Sequence, residues 1–181
     1  GHNLIPGWVN ANFFRYRFKF WKTAYKPEWS LDLRYPLKCE DNVWDGVFTE
    51  HTFEHLHPHH VYQLLRELHR CMKPGAWIRI IVPDAAKYID YYQGKKLAPE
   101  FEQWEHPTIA LRTLTQNYYH TSVWDADLML RFLRQTGFVH AREVSYKEGT
   151  DERLLQDKAH REWESLYVEA QKRPEQSPFG E

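Results

Sequence analysis

Within residues 51–60 the chain places His51, Glu54, His55, His57, His59 and His60. Imidazole exchanges a proton near neutral pH, and together with a carboxylate it makes a ligand set for transition metals. A further acid–base candidate, His120, follows Tyr118-Tyr119. Asn12, Asp32, Glu50 and Asp84 could hydrogen-bond a ligand's hydroxyl or amino groups, the carboxylates most strongly. The order His51-x-x-Glu54-His55 is that of an inverted zinc-hydrolase signature. Metal-dependent hydrolysis by His51, Glu54 and His55 is therefore one candidate chemistry. That signature needs a helix with both histidines on one face, whereas here it follows a strand pattern and meets His57-Pro58. A milder version keeps Glu54 and His55 and adds a third ligand around one divalent ion.

For such residues to act together, the elements that carry them must end at one edge. Short strands are expected over 8–10 and 29–33, and a third over 44–49. Pro58 suits the first turn of a helix, whose apolar stripe is Val61, Leu64, Leu65, Leu68 and Met72. Lys73-Pro74-Gly75 supplies the stop. Residues 77–82, rich in β-branched types, form the clearest strand. A helix is expected over 84–93, a polar loop over 94–99, and no firm period over 100–119. Asp125 reads as an N-cap for a helix ending at Gly137. A strand over 138–146, a helix over 151–160 and a last strand over 163–170 follow. On that last strand Glu164 and Glu169 are expected to face solvent. Alternating strands and helices predict an α/β sandwich with a largely parallel sheet. Ligands of such sheets gather at the carboxyl ends of the strands, next to Asn12, Asp32, Glu50 and Asp84.

Composition bounds the rest. The 181 residues are 42% hydrophobic and 27% charged, as in ordinary globular proteins. A net charge of −1 gives no chain-wide attraction to nucleic acid or membranes. No run approaches the roughly 18 apolar residues of a membrane span. Cys39 and Cys71 are too few for a disulfide framework and are expected to be inert thiols in a reducing compartment. With no secretory signal visible, the expected location is cytoplasmic. The first residue is Gly1, not Met.

Several stretches together carry a resemblance: Asp32-Leu33-Arg34-Tyr35-Pro36-Leu37, Trp44-Asp45-Gly46-Val47, Phe53-Glu54-His55-Leu56, Leu64-Leu65-Arg66-Glu67-Leu68 and Met72-Lys73-Pro74-Gly75. In this order they resemble a class I S-adenosylmethionine-dependent methyltransferase of the small "methyltransferase domain 11" kind. The resemblance runs from about residue 6 to 172 and implies one Rossmann-like domain over 1–172, with 173–181 as a frayed tail. It implies a mostly parallel sheet with an antiparallel last strand, and S-adenosylmethionine as cofactor. Asp32 and Leu33 match the positions that meet the adenine, and Asn12 the one that holds the ribose hydroxyls. Glu50 and His51 stand beside the methionine part. Two departures stand out. The family's Gly-rich first strand would precede Gly1, which matches at most its last glycine, so an N-terminal truncation is expected. Asn12 also replaces a carboxylate and forgoes a charge-assisted bond.

Methyl transfer to a hydroxyl requires a base, and His51 and His120 are the candidates. The expected acceptor is a small molecule or a glycan. A rival reading from another class is a non-catalytic module that holds an anionic partner through the basic-aromatic segment 13–26, where Arg15, Arg17 and Lys19 alternate with aromatic residues.

Overall fold

The computed structural model describes residues 5–12 and 29–175. A short parallel pair joins β1 (Ala11–Asn12) to β2 (Trp29–Ser30), with Asn12 opposite Ser30. The main sheet holds β3 (Trp44–Glu50), β4 (Met72–Pro83), β5 (Phe138–Val144) and β6 (Ser165–Lys172), in the spatial order β3-β4-β6-β5. β3 and β4 are parallel, while β6 is antiparallel to both β4 and β5. Three strands thus share one direction, and the reversed final strand is inserted between two of them. The segment 13–26 and Gly1 lie outside the described residues.

The period of two in β4 and β6 sorts their side chains into two faces. Ile78, Ile80 and Val82 lie opposite Ala170, Val168 and Leu166, and all six are buried in one core. Helix α1 (Pro58–Cys71) adds Val61, Leu64, Leu65 and Leu68 to that core, and α4 (Ala126–Gln135) adds Met129 and Leu133. The α1 stripe expected from the sequence is the buried one, with Cys71 in place of Met72, which already belongs to β4. Gly75, at φ +82°, makes the turn within an irregular stretch where the β3–β4 register shifts. As expected, Asp125 caps α4, its Oδ1 accepting from the Leu128 N–H at 2.9 Å. Helices α2 (Ala85–Tyr92) and α3 (Pro107–Thr115) enclose a second cluster around Tyr88, Phe101 and Leu114.

The other face of β4 and β6 sets Arg79 and Glu169 beside Ile81 and Tyr167, and all four are buried. Arg79 pairs with Asp157 through Nε–Oδ1 at 2.7 Å and Nη2–Oδ2 at 2.5 Å, the two side chains being 1% and 0% exposed. Beside it, the Glu169 carboxylate accepts from Arg142 and from the backbone N–H and hydroxyl of Thr150. These bonds pull the segment 145–164 down onto the sheet, and two expectations change as a result. The helix over 151–160 is absent: the segment makes only 3-10 turns at Glu152–Leu154 and Ala159–Glu164. Asp157 is held by Arg79 and by the Lys147 N–H, so tertiary contacts override a weak helical preference. Glu164 and Glu169 are buried, not solvated. The strand expected over 29–33 ends at Ser30, because Asp32 closes a turn with Arg34.

Candidate active site

The site grows from the tip of β3. The side chain of Glu50, its last residue, is covered: Lys158 donates its backbone N–H to Oε1 at 3.0 Å and sets its ammonium 2.8 Å from Oε2. His51 continues the ladder, donating its N–H to Ile81 O at 2.8 Å, but takes φ +47°. That left-handed backbone is uncommon for a side-chain-bearing residue, and it turns the chain sharply into the 3-10 turn Phe53–His55. Both ring nitrogens of His51 are engaged. Nε2 lies 2.9 Å from Ser165 Oγ, and Nδ1 lies 3.3 Å from Arg161 Nη1. A guanidinium only donates, so Nδ1 accepts and Nε2 carries the proton. Burial, aided by Arg161, pushes the His51 imidazole down to about 4.

Glu54 is the most unusual group here. Its side chain is 2% exposed, and neither carboxylate oxygen takes part in a hydrogen bond. Its nearest basic neighbours are His51 Nδ1 at 3.4 Å and His55 Nε2 at 3.7 Å from Oε1. Burial pushes its carboxyl up to about 7.

The backbone of Glu54 is clasped from far along the chain. Its carbonyl accepts from Thr121 and Ser122 N–H at 2.7 and 3.1 Å, and Ser122 Oγ donates to Phe53 O. Just upstream, Tyr118 and Tyr119 both have positive φ and lie exposed, which swings His120 back toward the turn. The His120 and His55 rings meet edge-on, centroids 4.9 Å apart. His120 Nδ1 lies 3.3 Å from Leu114 O, so it donates there and leaves Nε2 with its lone pair. Burial pushes the His120 imidazole below its ordinary value. One ligand-capable atom each from Glu54, His55 and His120 falls within 4.8 Å of the others. His51, Glu54 and His55 do not sit on one helix face, as the zinc-hydrolase signature requires.

The remaining expected residues sit elsewhere around the strand tips. Asp32 follows β2 and is bonded to Arg34, whose N–H and Nε reach Oδ1 at 3.1 and 2.8 Å. Arg34 holds its carboxyl below the usual range, with a smaller pull from His60 at the start of α1. Leu33 packs half-buried against the main core. Asn12 ends β1. Asp84 caps α2, accepting from the Ala86 N–H.

The sequence did not point to a cleft of about 540 Å³ between the ends of β4 and β5, walled by Asp84, Lys87, Phe101, Tyr146, Trp163 and Ser165. Its residues are scattered over the chain without a motif. Ser165 links it to His51.

Residues 22–80 match the family model described as "Methyltransferase domain". No curated protein matches the chain. Among solved structures, a SAM-dependent methyltransferase from Archaeoglobus fulgidus is similar at 17% identity and TM-score 0.51, covering 81% of this chain and 68% of that one. A SAM-dependent methyltransferase from Thermotoga maritima, a possible histamine N-methyltransferase, gives 13% identity and TM-score 0.51, with 80% and 62% covered. A possible exported protein from Bordetella parapertussis gives 16% and 0.51, with 81% and 44% covered. The fold resembles the Rossmann-like fold of such methyltransferases, and residues 22–80 match a methyltransferase domain model.

Proposed function

We propose that this chain, with its class I methyltransferase fold, takes part in methyl transfer from S-adenosylmethionine to a small-molecule or glycan-type acceptor. What supports the reading most is a coincidence: the family match over 22–80 spans the tips of β2 and β3, where Asp32, Leu33, Glu50 and His51 stand. When bound, the cofactor supplies a methyl group on a sulfonium, poised for in-line displacement.

The chain's part is to bind, orient and manage one proton. A carboxylate offers about four acceptor positions. Arg34 uses three on Asp32, which leaves one for the adenine amino group, with Leu33 against the ring. Asn12, at the end of the strand beside β2, is assigned to the ribose, and Gly1 to the cofactor by resemblance alone. The side chains of Glu50 and His51 are already engaged, so in this reading they wall the site. His51 acts as a positioning residue, neutral and held between Ser165 and Arg161. His120, neutral with an available Nε2, suits removal of an acceptor proton. The cleft beside Ser165 is the acceptor's approach.

Isothermal titration of S-adenosylmethionine into the protein and its Asp32→Ala variant tests this. Loss of a hydrogen bond to a charged group costs about 1.5–3 kcal/mol, so affinity should fall tenfold or more. Equal affinities would remove Asp32 from the site.

A further inference from the structure

We infer that Glu54, His55 and His120 form a binding site for one divalent transition-metal ion. Three observations carry this. The first is the donor set, one carboxylate and two imidazoles, which suits zinc-like ions better than magnesium or calcium. The three candidate ligand atoms already lie within 4.8 Å of one another, and metal bonds of about 2.1 Å require only that they close up. His55, 41% exposed, has room to rotate inward.

The second is Glu54 itself. A carboxylate buried with no hydrogen bond to either oxygen is costly unless something cationic meets it. His51 does not, because its Nδ1 lone pair is turned to Arg161 and its proton sits on Nε2 toward Ser165. The Glu54 carboxylate is thus left with His55 and His120 as its remaining partners, one ligand-capable atom of each lying within 4.8 Å of its own.

The third is how the residues are delivered. The clasp of Thr121 and Ser122 on the Glu54 carbonyl, and of Ser122 on the Phe53 carbonyl, fixes the two chain segments against each other. The hydrogen bond from His120 Nδ1 to Leu114 O leaves Nε2 as the lone-pair nitrogen. This is the outer-sphere support that metal-binding histidines use. Three protein ligands leave a coordination position open. With an ion bound, the His120 Nε2 lone pair is spent on it and no longer serves as a base; the open position instead suits an oxygen of a hydroxyl-bearing acceptor, which binding to the ion would make easier to deprotonate. His51 is excluded as a ligand: both its nitrogens are engaged, and the Arg161 guanidinium beside it repels a cation.

The site is tested with metal alone, without S-adenosylmethionine or acceptor, so its outcome is independent of the methyl-transfer reading. The chelator-treated protein is titrated with Zn²⁺ by calorimetry, and with Co²⁺ while visible absorption is recorded. One equivalent should bind, with Co²⁺ bands of low-coordinate nitrogen–oxygen ligation. His55→Ala, His120→Ala and Glu54→Gln should each weaken binding at least about 10- to 100-fold, the range already lost when only outer-sphere partners are removed. His55 is exposed, so its variant keeps the fold even if Glu54→Gln does not. Absence of stoichiometric binding overturns the proposal. So does binding that survives His55→Ala and His120→Ala but is lost when His57, His59 and His60 are replaced together.

Discussion

At the scale of single residues, burial has decided protonation in several places. His69, on α1, is the simplest case. Its Nε2 is buried against Gly137 without a hydrogen bond, and its ring meets Phe138 edge-on. Burial, and behind it the Lys172 ammonium, pushes its imidazole below the ordinary value of 6.5. The unfolded chain therefore takes up a proton at a higher pH than the folded one. The neutral ring's contribution is complete above pH 6.5 and is lost as pH falls through the folded value. Urea midpoints measured at pH 7.5 and 5.5 should drop for the wild type and drop by less for His69→Gln; equal drops would mean that His69 is not the sensor. His69 could be placed on α1 from the sequence, but its burial could not, because it depends on Gly137 and Phe138 packing over it. Glu54 illustrates the same limit more sharply. The spacing of the histidines marked it as a candidate, but its unpartnered carboxylate and its meeting with His120 arise from a clasp across roughly seventy residues.

At the scale of elements, the legible parts are those whose own period or punctuation suffices. β3, α1, β4 and α4 lie close to their expected positions because Pro58, the α1 stripe, the β-branched run at 77–82 and the Asp125 cap are local signals. Gly137 belongs with them. It has φ +99° just past α4, and an added Cβ would stand 3.2 Å from His69 Nε2. Gly137→Ala should cost at least about 1–2 kcal/mol from the backbone alone, read as a lower urea midpoint, with more if His69 cannot move. A variant as stable as the wild type would show that the turn relaxes. The segment 151–164, by contrast, carries helix-forming residues yet makes only 3-10 turns. Its conformation is imposed by Arg79, 78 positions away from Asp157.

At the scale of the whole molecule, the sheet has a dry face under α1 and α4 and an ionic face under the cover. The Arg79–Asp157 pair fastens that cover, and the cover in turn supplies Lys158 to Glu50 and Arg161 to His51. Removing one partner leaves the other charge buried alone, which costs about 3–5 kcal/mol. Denaturation of Asp157→Ala, Arg79→Met and the double variant should show large single losses and a double loss much smaller than their sum. Additive losses would mean that the two side chains do not stabilise each other.

The reversed position of β6 has a further consequence for how such a chain comes into being. β4 acquires its neighbour on that side only from Ser165–Lys172, more than eighty residues later. A nascent polypeptide leaving the ribosome must therefore carry this apolar strand half-paired until Ser165–Lys172 has emerged. Release before Ser165 would expose an open, sticky edge to other chains, and the cell's chaperones are the natural guardians of that interval.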